Sequence, residues 1–141
     1  MGMSLASAVR RHRFRWILAA ALALGTLAGL YHLDLLKAAV AANPFLGSAQ
    51  SVSRGGLLWK QDCQACHGVD GRGDGPVSAS LRNRPKDLTR IASPPIFPDG
   101  VVAYRIANGG DVMPAWKSVL STDDIWDLVN FIRAQRSHTG N

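Results

Sequence analysis

The sequence predicts an all-α protein, a small helical domain behind a single N-terminal helix apolar enough to lie in a membrane. Three observations predict it. Residues 16–30 carry no charge, and Tyr31, His32 and Leu33 extend the run to about eighteen positions before Asp34. Residues 121–133 place apolar side chains at helical spacing. The stretch between, residues 68–98, is broken by glycine and proline and shows none of the two-residue alternation that strands require.

Length allows one compact domain and an appendage, since 141 residues are too few for two cores. The net charge of +6 is located mostly at the N-terminus, where Arg10, Arg11, Arg13 and Arg15 precede the apolar run. From residue 44 onward there are 11 Lys and Arg against 9 Asp, an excess of +2 that is too small to argue for a phosphate backbone as partner. Nucleic acid is therefore excluded. The only two cysteines stand three apart, which rules out a disulfide scaffold or a four-cysteine zinc site.

The appendage, residues 1–37, reads as a basic cytoplasmic flank followed by a transmembrane signal-anchor. The arginines stay inside under the positive-inside rule, and Trp16 and Tyr31 suit the two interfaces. Its length is also compatible with a signal peptide, and Ala39-Val40-Ala41 fits a small-x-small cleavage signal. That site lies well beyond the apolar run, with Asp34 and Lys37 between, so retention is the preferred reading. Arg10-Arg11 suggests twin-arginine export, but Arg13 stands where that signal carries an apolar residue, and a Sec-type flank fits better. Either way, everything after residue 34 is exported. Residues 38–50, rich in Ala, Asn, Pro, Gly and Ser, read as a mobile tether to a domain spanning 51–141.

Ser51 or Ser53 is expected to cap a first helix running to about Cys63, with Leu57, Trp59 and Lys60 on it. Its Gly55-Gly56 pair costs helix stability unless a neighbour needs the space. The helix leads into Cys63-Gln-Ala-Cys-His67, the pattern for covalent attachment of a c-type haem. Two thiols add across the porphyrin vinyl groups, and the imidazole that follows reaches the iron from the same side. A zinc knuckle would need two more ligands at short spacing, and the nearest following histidine is His138. A thioredoxin-like dithiol would follow a strand in a βαβ unit, which is not in evidence.

Residues 68–98 carry Gly68, Gly71, Gly73 and Gly75 and five prolines, at 76, 85, 94, 95 and 98, and should wrap the haem edge. Asp70-Gly-Arg-Gly-Asp-Gly75 mimics half a calcium loop, but Arg72 and Leu81 occupy positions where ligands are needed. The Gly rhythm also lacks the strand and helix of a phosphate cradle. Residues 98–107 read as a shorter helix closed by Asn108-Gly109. In Asn108-Gly-Gly-Asp-Val-Met-Pro-Ala-Trp116 stands the one methionine of the exported part, Met113, presented by a turn that glycine permits and Pro114 stiffens. It is the natural second iron ligand, with His138 as competitor. The last helix opens on a capping box of Ser121 and Asp124 and buries Ile125, Leu128, Val129 and Ile132.

Over approximately residues 52–136 the sequence resembles the class I, mono-haem cytochrome c family: first helix, attachment motif, loop proline, Met-Pro loop and final helix occur in order. The resemblance implies a small helical fold wrapped around one haem c, held by Cys63 and Cys66 and ligated by His67 and Met113. It implies that the carbonyl of Pro85 accepts the proton on His67 Nδ1. It also implies that the two terminal helices cross, with Gly55 or Gly56 allowing close approach and Trp59 meeting Phe131. Iron ligated on both faces has no open position for oxygen or peroxide, so an electron carrier is expected, not an enzyme. The expected partners are redox proteins, a donor such as a quinol-oxidising complex or dehydrogenase and an acceptor such as a terminal oxidase or reductase. The expected location is the bacterial cytoplasmic membrane with the haem domain facing the periplasm, or the periplasm itself if the leader is cleaved. A haem-bearing subunit fixed in a larger oxidoreductase is the alternative, with Gly25 and Gly29 permitting helix contact. A peroxidase or ligand sensor is a third reading and requires Met113 to leave easily. Arg82, Arg84, Lys86 and Arg90 either steer an acidic partner or form an ordinary solvated loop.

Overall fold

The computed structural model describes residues 5–91 and 97–135, with side chains from His12 onward and excepting Ile91. The readings placed on His138, Pro94 and Pro95 lie outside the described residues. Two units are distinguished, residues 1–37 and 38–141.

Helix α1 (Leu5–Val40) makes up the described part of the first unit, runs unbroken through the apolar stretch and ends three residues past the boundary. No part of its apolar window is buried, and by length and composition it can cross a membrane. Eighteen uncharged residues span about 27 Å, close to the hydrocarbon thickness of a bilayer. The segment expected to be a mobile tether is shorter and better held than that. Helix α1 continues to Val40 and the next helix begins at Ala49. Between them Asn43 donates to Asp99 Oδ2 and to Asn130 Oδ1, both at 2.8 Å, and the Phe45 carbonyl accepts from Asn130 Nδ2.

Helix α2 (Ala49–Leu58) is capped by Ser48, whose hydroxyl accepts from Ser51 N at 3.2 Å. The expected caps do other things: Ser53 is exposed, and Ser51 is fully buried with its hydroxyl bonded to Asp127 Oδ1 at 2.6 Å. After α2 the chain makes one π-helical turn (Trp59–Cys63) and a short helix α3 (Gln64–His67). A 3₁₀ turn (Ser78–Ser80) and helix α4 (Leu88–Ile91) punctuate the loop that follows. Helix α5 (Asp99–Asn108) ends at Gly109, whose φ of 66° lets the chain reverse. Helix α6 (Thr122–Gln135) starts at the predicted capping box, with Ser121 Oγ accepting from Asp124 N and Asp124 Oδ2 accepting from Ser121 N. Among the described residues there is no strand, only a bridge pairing Gly110 with Met113.

The core lies where α2 crosses α6. Trp59, Ala103, Ile106, Ile125, Trp126, Leu128, Val129 and Ile132 form it, so the predicted apolar face of α6 is the buried one. Gly55 makes the crossing close, because a Cβ there would lie 2.1 Å from the Asp127 carbonyl oxygen. The Trp59 and Phe131 rings meet at 5.6 Å between centroids, as expected. Helix α6 is also buried on a side the apolar pattern does not show. Asp127 and Asn130 are enclosed, and Asp127 accepts from Ser51 Oγ and from Arg54 Nε at 2.6 Å and Arg54 Nη2 at 2.9 Å. Asn130 Nδ2 donates to Ser51 Oγ at 2.7 Å. A buried carboxylate is costly unless its oxygens are bonded, and here each oxygen has a partner.

Candidate haem site

The motif sits where the first helix loosens. In the π turn the N–H of Gln64 donates to the Trp59 carbonyl, one residue further back than in an α-helix, and Cys63 takes φ −115°. Gly68, at φ 82°, then stops the helix directly after His67. Cys63 and Cys66 are both free and half-buried. Burial, with Asp62 and Cys66 adding to it, pushes the Cys63 thiol up to about 12. Burial lowers the pKa of His67, which favours the neutral imidazole that binds metals.

His67 is positioned by Trp59. The indole ring lies 5.6 Å from the imidazole, and its Nε1 donates to the Gly68 carbonyl at 3.0 Å. Phe131, Trp59 and His67 thus form a continuous aromatic path from the helix crossing to the motif. This contact was not anticipated. Residues 59 and 67 stand about 12 Å apart along the axis of a regular α-helix, and the helix between them is irregular, with the π turn and the altered backbone at Cys63.

The glycine-rich loop folds back onto the motif. Gly73 N donates to the His67 carbonyl at 2.8 Å, and Val77 N to the Ala65 carbonyl at 3.1 Å. Gly68, Gly71, Gly73 and Gly75 are all buried, so their rhythm serves close backbone packing. A Cβ on Gly75 would lie 2.4 Å from the Ala65 carbonyl oxygen. Among the described residues no three acidic, histidine or cysteine side chains gather to hold a metal ion. Pro85 is half-buried, and its carbonyl oxygen would lie 2.2 Å from a Cβ on Gly73. The bond from His67 Nδ1 to that carbonyl is not formed here, for Nδ1 is buried without a hydrogen-bond partner.

Met113 lies in a turn closed in both directions: Gly110 N donates to Met113 O at 2.9 Å and Met113 N to Gly110 O at 3.0 Å. Trp116 N and Lys117 N then donate to the carbonyls of Ile106 and Ala107, returning the chain to α5. Met113 and Cys63 are half-buried and pack against the same core cluster. These residues fit a covalently held haem on their own chemistry. Two unpaired thiols precede an imidazole whose Nδ1 is buried and unsatisfied, and a thioether packs against the same apolar cluster as the first of them.

The helical fold and the single Cys-x-x-Cys-His motif define a mono-haem c-type cytochrome, an electron-transfer protein that carries covalent haem c. Residues 50–132, more than half of the chain, match the family described as cytochrome c oxidase, cbb3-type, subunit III, and the chain belongs to that family. It is similar to a cytochrome c6 of Alaria esculenta, 29% identical over 84 residues, which are 60% of this chain and 91% of the relative. Among solved structures it resembles a chain of the Kuenenia stuttgartiensis reducing HAO-like protein complex, with a TM-score of 0.56 and 27% identity. That match covers 65% of this chain and 46% of the solved one, so this chain spans a little under half of its length.

Proposed function

We propose that the protein passes single electrons between redox proteins outside a bacterial cytoplasmic membrane, to which α1 holds it, and that its haem is ligated by His67 and Met113. When bound, the haem supplies the one-electron couple. The chain does the rest. Cys63 and Cys66 tether the group. Both thiols are half-buried in the folded domain, so attachment belongs to the exported chain before it folds. Trp59 fixes the His67 ring from one side. The carbonyl of Pro85, held against the loop that bonds His67 O, is the acceptor we assign to the unsatisfied Nδ1. Arg82, Arg84, Lys86 and Arg90 are all exposed and give an acidic partner something to orient on.

The observation that carries this reading is the half-buried Met113, offered by a closed turn against the core that also holds the motif's first cysteine. The ferric protein should show the weak red charge-transfer band of thioether-ligated haem at neutral pH. Met113→Ala should abolish the band and lower the reduction potential. A ferric spectrum without that band in the unaltered protein contradicts the assignment.

A second reading, a haem subunit fixed within a larger oxidoreductase, draws support from the family description and from the multi-subunit complex that holds the solved relative. Gly25 and Gly29 leave open space beside α1 where a neighbouring helix can approach. Gentle detergent extraction separates the two. A free carrier migrates as a single small haem protein, and a subunit remains with larger chains.

A further inference from the structure

Asp111 is the one residue other than glycine with positive φ among the described residues, at 55°. Six glycines take the positive-φ positions elsewhere, where the conformation costs nothing. A carboxylate therefore occupies a backbone position that glycine would fill with less strain, as the first central residue of the turn closed by Gly110 and Met113. Its side chain reaches across to the preceding loop. Asn83 Nδ2 donates to Asp111 Oδ2 at 2.8 Å, and Arg82 Nη2 lies 3.4 Å from Oδ1.

The rest of the turn shows why this matters. Toward α5 it is held by the Trp116 and Lys117 backbone bonds and by Arg105 Nη1 donating to the Gly109 carbonyl at 3.1 Å. At the tip, Val112 and Pro114 are exposed, so burial does not hold Met113 from that side. The polar tie to Asn83 and Arg82 does. We propose that Asp111 is a positioning residue for Met113, clasping the tip of its turn to the Arg82-Asn83 loop and so setting how easily the thioether yields to a competing ligand. This rests on the assignment of Met113 as iron ligand. The Asn83 bond carries most of the effect, because an ion pair at 3.4 Å between a side chain 82% exposed and one 50% exposed is largely screened.

The test is an imidazole titration of the ferric, haem-loaded full chain in detergent, followed by loss of the charge-transfer band. Asp111→Gly keeps the positive φ and removes the carboxylate, and Asn83→Ala removes the donor. Each should raise imidazole affinity about three- to tenfold. The double variant should gain no more than either single one, because the two changes break one bond. Asp111→Asn tolerates the same φ and keeps an acceptor for Asn83, and should stay within about twofold of the unaltered protein. Thermal midpoints should move little in any of them, which a merely structural role would not predict alongside a changed affinity. Unchanged affinity in both single variants, or gains that simply multiply in the double variant, overturns the clasp. If the unaltered protein lacks the band, the Met113 assignment fails and the clasp fails with it.

Discussion

Gly55→Ala should destabilise the haem-loaded domain by about 3 kcal/mol or more, a large share of the roughly 5–15 kcal/mol that holds a domain of this size folded. The new methyl would stand 2.1 Å from the Asp127 carbonyl oxygen, 2.6 Å from its carbon and 2.9 Å from Phe131 Cβ. The first two are backbone atoms in the middle of α6 and have no rotamer to change. Helix α2 must lift, and lifting it loosens Trp59, Leu128 and Val129 together. It also draws Ser51 and Arg54 off the enclosed carboxylate of Asp127, leaving a buried charge without its donors. Gly56 is the control. A methyl there meets only the Phe131 ring, at 3.1 Å, and a ring can swing. Alanine's better helix propensity, worth about 1 kcal/mol over glycine, offsets most of the contact. Guanidinium unfolding should separate the two variants clearly, and equal midpoints would show that the helix crossing is looser than described.

The second large effect is loss of the haem. Cys63→Ala with Cys66→Ala should leave α2 to α6 without stable helices, because the eight buried apolar side chains among the described residues make a thin core for a unit of this length. Cys63, Leu88, Met113 and Trp116 are only half-buried around that core, and a haem bound at the motif would complete it. Far-UV circular dichroism of the double variant in detergent should fall to the contribution of α1, which needs no haem to be helical. Retention of the full native signal would mean that the polypeptide folds without its prosthetic group.

Much of this was legible in the sequence because it is local or periodic. The apolar face of α6, its Ser121 and Asp124 cap, the Gly109 stop after α5 and the attachment motif each occupy a few adjacent positions with one physical meaning. Even the long-range meeting of Trp59 with Phe131 followed from the glycine pair and the resemblance. What stayed hidden is polar and distant. Asp127 and Asn130 lie outside the apolar spacing of α6, yet they are enclosed because α2 and residues 43–45 supply their partners from about 75 to 90 positions away. The same pairing takes Ser51 from its expected capping role and leaves Ser48 to do it. The π turn has no composition signal, so the approach of Trp59 to His67 had none either. Asp111 could have been suspected from its place after two glycines, where a turn needs positive φ, but its partner in the loop at Asn83 could not.

If one haem is bonded to the chain through two cysteine sulfurs, denaturing mass spectrometry of the purified protein, run beside a pyridine haemochrome spectrum, should find a polypeptide heavier by one haem and a c-type haemochrome. The colour should stay with the chain through acid-acetone extraction. A chain of unmodified mass, with any pigment passing into the acetone, would contradict that bonding.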